Sequence, residues 1–247
     1  MPVSAPLKQV ELSAANHLVA YPLKEGGEEQ GEDSVSLYSE AVSLSVAKAR
    51  HREILGDIYQ PQIGMAIWQR PLGDAFDYAQ SMITAAPHFS FKGQQTPQLA
   101  AKLLEKLLPQ ARGKSAFIED VTLLMEMFAC LFDLEDVGLR LDVLSKAMCP
   151  RFHVDKIPCR LITTYAGAGS EWLHEAHVQR TRLGRGGDAK DHNSGLLHQG
   201  RINCLKVGDV ALMKGDDWPA SQGRGMVHRS PAASSEQSRL FLSLDMV

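Results

Sequence analysis

Residues 136–165 read DVGLRLDVLSKAMCPRFHVDKIPCRLITTY, and the fold is decided here. Leu139, Leu141 and Val143 alternate with Arg140 and Asp142, which is the period of a half-buried strand. Short β-like runs follow at 151–155, 160–165, 202–206, 209–214, 226–230 and 239–245, punctuated by Gly, Pro, Asp and Asn. Upstream the character differs. The spacing predicts helices over 34–55, 74–85 and 117–132, the last strongly apolar, with a short strand around Met65, Ile67 and Trp68. A further helix opens at Thr96-Pro97, with Thr96 as cap and Pro97 in the first turn, where its missing N–H costs nothing. Leu99, Leu103, Leu104 and Leu107 would form its apolar stripe and Pro109 would end it, while Asp74 would cap the helix over 74–85.

Helices first and strands after argue for an α+β chain in which helices back a β-sheet or barrel. The expected organisation has three parts. Residues 1–33 are a polar leader with too little apolar area to hold itself down. Residues 34–136 are an α-rich region, and residues 137–247 are a β-domain with a polar insertion at 174–200. On the last strand Arg239, Phe241 and Ser243 share one face, and Leu240, Leu242 and Leu244 share the other. The leucine face needs an apolar cover, which the upstream helices can supply.

The composition narrows the function classes. The chain has 247 residues, 44% apolar and 22% charged, so a substantial core needs no disulfide staples. The formal net charge of -3 offers no basic excess for nucleic acid. No signal-like segment and no apolar run long enough for a membrane span is visible. The four cysteines form no CxxC pair, which removes a thiolate zinc finger and fits a cytoplasmic protein with reduced thiols.

Three elements carry candidate chemistry. His153 and Asp155, two apart on a strand, present an imidazole and a carboxylate on one face. His228 lies far downstream in Val227-His228-Arg229-Ser230-Pro231, and Arg239 opens the next strand. Two histidines and one carboxylate arranged facially leave metal positions open, which is the donor set of non-haem Fe(II) oxygenases. A chelating 2-oxo acid would then need a cation for its far carboxylate, and a guanidinium supplies a two-pronged one. Each element also has a plain reading, as a surface pair, a loop hydrogen bond or a surface ion pair. Cys149, Cys159, the His174/His177 pair and the arginines 180, 182 and 185 are weaker candidates, read first as core thiols and a solvated loop.

This ordered set, with Arg160 to Tyr165 and the Gly208-Asp209 turn, resembles the double-stranded β-helix (jelly roll, cupin-like) of Fe(II)/2-oxoglutarate-dependent dioxygenases, the prolyl-hydroxylase-like branch in particular. More closely, Cys149 to Leu173, Gly208 to Gly215 and Val227 to Pro231 resemble the bacterial family called domain of unknown function 1826. The resemblance implies Fe(II) held by His153, Asp155 and His228, 2-oxoglutarate anchored by Arg239, and hydroxylation of a small molecule or protein side chain beneath the 174–200 insertion. It departs from the oxygenase pattern at Phe241, where some members carry a serine. Arg160 and Tyr165 fall on opposite faces of their strand, and Tyr165 is chosen as the second co-substrate residue. The alternative is a non-redox zinc carrier, sensor or store on the same ligands, in keeping with an implied link to zinc-responsive GTPase metallochaperones. A third reading is a binding module that has lost its metal.

Overall fold

A strand, not a helix, occupies Ser45–Ala49 (β1) in the computed structural model, which describes residues 44–219, 223–231 and 238–246. The expected leader and residues 34–43 lie outside the described residues. The helical spacing of small residues near position 47 is overridden by a parallel ladder in which Val46 to Ala49 pair with Met65 to Trp68. A 3-10 helix follows at Arg52–Tyr59 and buries Leu55 and Ile58. Ile63–Trp68 forms β2 as expected. The helix Asp74–Ala85 (α1) is also found, but its cap is Gly73 at φ 55, which places Asp74 in the first turn, where a carboxylate suits the helix dipole.

Ser90–Gln95 (β3) carries no strand signature in sequence, being polar with a central glycine. Its ladder with the next strand and the packing of Phe91 on the core define it. In Pro97–Leu107 (α2) the Thr96 hydroxyl accepts from the Leu99 amide. The leucine stripe is narrower than expected: Leu99 and Leu107 are 53% and 47% exposed, while Pro97, Ala100 and Leu104 face inward. Lys114–Phe132 (α3) buries Phe117, Val121, Leu124 and Phe128.

The second half supplies Val137–Leu144 (β4), Cys159–Ala166 (β5), Glu171–Leu173 (β6), Ile202–Cys204 (β7), Val210–Lys214 (β8), His228–Arg229 (β9) and Arg239–Met246 (β10). The expected strand at 151–155 reduces to a single antiparallel bridge between His153 and His228. A seven-stranded sheet has the order β1-β2-β8-β5-β10-β4-β3, and a three-stranded sheet has the order β7-β6-β9. Three strands from before residue 136 are thus woven into the sheet formed by the second half. The described residues fall in one unit.

Two faces of the large sheet build two cores. Leu139, Leu141, Leu161, Tyr165, Leu240, Leu242 and Leu244 join the apolar residues of the three helices in one cluster. Each leucine so buried stabilises the fold by ~1.5–3 kcal/mol. On the opposite face Met65, Ile67, Ile162, Ala211, Met213 and Phe241 pack with Trp172 of the small sheet. From β4 onward the chain alternates between the sheets: large at β4, small at the His153 bridge, large at β5, small at β6 and β7, large at β8, small at β9 and large at β10. Among the described residues, no helix is long and apolar enough to cross a membrane.

Candidate metal centre and its cavity

His153 and His228 meet because their backbones pair. Each amide donates to the other's carbonyl at 3.0 Å, which sets the imidazole centroids 4.6 Å apart. Nδ1 of His153 lies 3.0 Å from the Arg151 carbonyl, and Nδ1 of His228 lies 3.1 Å from the Met226 carbonyl. A carbonyl only accepts, so the hydrogen of each neutral ring is assigned to Nδ1 and the lone pair to Nε2. Both Nε2 atoms face Asp155, at 3.6 Å from Oδ1 for His153 and 3.3 Å from Oδ2 for His228. Donors bound at right angles to one ion about 2.1 Å away would lie about 3 Å apart, close to these separations. The three donor atoms all lie within 4.8 Å of one another, and the set fits a facial two-histidine, one-carboxylate site.

The electrostatics favour a cation. Burial alone would raise the Asp155 pKa, but the two imidazoles and the Arg160 guanidinium hold it well below the usual carboxylate range. Burial lowers the His153 pKa, and the Asp155 carboxylate with the Arg151 carbonyl more than offsets that and raises it. The site therefore holds a formed anion faced by the Nε2 atoms of both rings, which donate to it when protonated and offer lone pairs to a cation when neutral.

A cavity of about 630 Å3 touches all three side chains. Its walls come from β3 (Lys92, Gln94), β4 (Arg140), the segment carrying Met148, Cys149 and Ile157, and the inner face of β10 (Phe241, Ser243, Asp245). Arg239 lies on that face of β10. Its Nη2 donates to Thr164 Oγ1 at 3.0 Å and Ser170 Oγ at 3.1 Å, and its guanidinium stacks 4.6 Å over Phe241. Ser170 and Phe241 both line the cavity. Arg239 is 6% exposed, yet its Nε and Nη1 have no hydrogen-bond partner among the described residues. Burial lowers its pKa to about 10, so it remains a cation at neutral pH. A buried charge with two bare donors is costly, and an anionic ligand would remove that cost.

Tyr165 does not reach this cavity. It lies on the helix-facing side of β5, stacks edge-on with Phe117 at 4.7 Å, and donates its hydroxyl to Asp120 Oδ2 at 2.6 Å. Asp120 also takes a two-pronged bond from Arg70. The reason is the two-residue period of β5: Arg160 and Ile162 line the cavity, and Thr164 meets Arg239, so Tyr165 must face the helices. Its expected role at the co-substrate is withdrawn. Tyr165→Phe is expected to cost about 1–3 kcal/mol of stability in a denaturant melt, since it strips a partner from a buried carboxylate, and to leave metal affinity unchanged.

The family model described as "Protein of unknown function (DUF1826)" matches residues 49–245. The chain belongs to this family. No curated protein matches this DUF1826 chain. Similar solved structures include dioxygenase for auxin oxidation 1 from Arabidopsis thaliana in complex with 2-oxoglutarate, at 9% identity and TM-score 0.49, covering 83% of this chain and 92% of that one. The rice dioxygenase for auxin oxidation is 12% identical at TM-score 0.43, with 83% of each chain covered. HygX from Streptomyces hygroscopicus, solved with nickel and 2-oxoglutarate bound, is 10% identical at TM-score 0.38, covering 79% and 86%. Likeness at this level decides no reaction, and the case for one rests on the side chains.

Two further features of the DUF1826 chain bear on the site. Arg160 donates to Asp155 and Asp245 together, and the sequence signal for it was its place on the polar face of β5. The 174–200 insertion does not line that cavity, but Arg180, Leu183, Gly184, Arg185 and Gly186 line a second one together with His153. It covers the outer side of the small sheet, where Val178, Leu183 and Leu196 pack on Phe152, Leu173 and Val227. Arg229 ties it down, donating to the His192 carbonyl at 2.7 Å and to Asn193 Oδ1 at 3.0 Å.

Proposed function

We propose that this chain is an Fe(II)/2-oxoglutarate-type oxygenase on a double-stranded β-helix, with His153, Asp155 and His228 as metal ligands and Arg239 as the co-substrate anchor. One observation carries the reading: three donors in a facial set line a cavity, and directly behind two of its lining residues, Ser170 and Phe241, lies a buried arginine with two bare N–H groups. The alternation of the chain between two facing sheets supports the fold assignment. When bound, Fe(II) with 2-oxoglutarate and dioxygen supplies an oxidant that hydroxylates a C–H bond, while the oxo acid leaves as succinate and carbon dioxide.

The chain's own residues do the rest. His153 and His228 donate Nε2 lone pairs, kept in that tautomer by two backbone carbonyls. Asp155 contributes the compensating negative charge. Arg239, held by Thr164 and Ser170, offers Nε and Nη1 to the far carboxylate of the oxo acid. Ile162 and Phe241 form an apolar wall that limits water beside the metal. The substrate would meet Lys92, Gln94, Met148 and Ile157, which line the cavity between β3 and the 148–157 segment.

The test is aerobic incubation with Fe(II), ascorbate and 2-oxoglutarate, with succinate measured against time. Succinate above the protein-free rate, lost in His228→Ala, is expected. Tight zinc retention with no succinate at any Fe(II) concentration would overturn the oxygenase reading in favour of a zinc protein.

A further inference from the structure

Arg160 and Asp245 are direct cross-strand partners in the β5–β10 ladder. Arg160 Nε donates to Asp245 Oδ1 at 2.6 Å and Nη2 to Oδ2 at 2.9 Å, a two-pronged pair that fixes the guanidinium plane. The remaining edge, Nη1, donates to Asp155 Oδ2 at 2.8 Å. Arg160 and Asp155 are both largely shielded from solvent, at 26% and 16% side-chain exposure. No other arginine or lysine among the described residues bonds to Asp155. The sheet register therefore dictates where one oxygen of the candidate ligand sits.

We infer that Arg160 is a positioning residue that holds Asp155 to one-oxygen coordination, and that Asp245 holds Arg160. The inference rests on the metal-ligand reading above. A six-coordinate ion bound by three protein donors keeps three positions, two for a chelating oxo acid and one for dioxygen. A carboxylate that binds through both oxygens takes one of these. Oδ2 takes the guanidinium bond at 2.8 Å and also faces His228 Nε2 at 3.3 Å, while Oδ1, facing His153 Nε2 at 3.6 Å, has no arginine on it and is the donor left to the ion. Asp245 also balances the Arg160 charge, so the guanidinium orients the ligand with less repulsion of the cation.

The test uses Co(II) added anaerobically to full-length wild type, Arg160→Met, Arg160→Lys and Asp245→Asn, reading affinity and the visible d–d bands of the bound ion. Thermal melting of each metal-free protein monitors folding. Arg160→Met is expected to weaken Co(II) binding about 10- to 100-fold, the range for loss of an outer-shell partner, and to change the band positions and intensity. Arg160→Lys should restore part of the affinity without the wild-type bands, because an ammonium supplies charge but no fixed fork. Asp245→Asn should move the bands in the same sense while touching no ligand. Wild-type bands and affinity in both Arg160→Met and Asp245→Asn would overturn the inference. So would affinity losses that follow the drop in melting temperature with the bands unmoved. If wild type binds no Co(II), or His228→Ala binds it equally well, the metal reading fails and takes this inference with it.

Discussion

Arg239→Met is expected to weaken 2-oxoglutarate binding to the metal-loaded protein by roughly 30-fold to several thousand-fold, while the ligand-free protein melts at the wild-type temperature or higher. The first effect follows from leaving a carboxylate buried without its cation, which costs about 2–5 kcal/mol, or tenfold per 1.4 kcal/mol. The second follows from the state of Arg239 before ligand binds. Its guanidinium is desolvated, unpaired with any carboxylate among the described residues, and short of partners at Nε and Nη1. Replacing such a charge by an apolar side chain of similar length is often neutral or stabilising, and here the gain is set against two lost bonds to Thr164 and Ser170. Equilibrium dialysis of 2-oxoglutarate and a thermal melt check the two halves separately. An unchanged 2-oxoglutarate affinity would remove Arg239 from the co-substrate site, and a large drop in melting temperature would make it a structural residue.

His228→Ala is expected to lose metal binding by more than the roughly 10- to 100-fold typical of an outer-shell change, because it deletes one of the three proposed direct donors. The fold should survive. His228 holds the β9 segment to the His153 segment through backbone amides and carbonyls, which alanine keeps. Removing the ring also takes a stabilising neighbour from Asp155, so the apo carboxyl should titrate higher than in wild type. Metal titration with a competing chelator reads the affinity, and circular dichroism reads the fold. Retention of wild-type affinity with an intact fold would place the metal elsewhere.

The candidate site was more legible than the architecture around it. The His-x-Asp pair, the late histidine and the arginine one strand later are local patterns, and the ladder brings the first three together through one bridge and one cavity. The choice between Arg160 and Tyr165 needed knowledge of which face of β5 meets the helices. Leu161 and Tyr165 together mark the core face, but Asp120, which satisfies the buried hydroxyl, lies on α3 and cannot be paired with it by spacing. β1 and β3 were illegible for a different reason. Their residues have weak strand preference, and each exists because a neighbouring strand offers its hydrogen-bonding edge. The packing of the insertion was hard to read because Val178, Leu183 and Leu196 are scattered among charges. Only the outer face of the small sheet shows what they cover.

Anaerobic addition of 2-oxoglutarate to the Fe(II)-loaded protein tests the central claim most directly. The account predicts a visible charge-transfer band in wild type, absent in His228→Ala and requiring far more 2-oxoglutarate in Arg239→Met. Stoichiometric Fe(II) binding with no such band at saturating 2-oxoglutarate would contradict it.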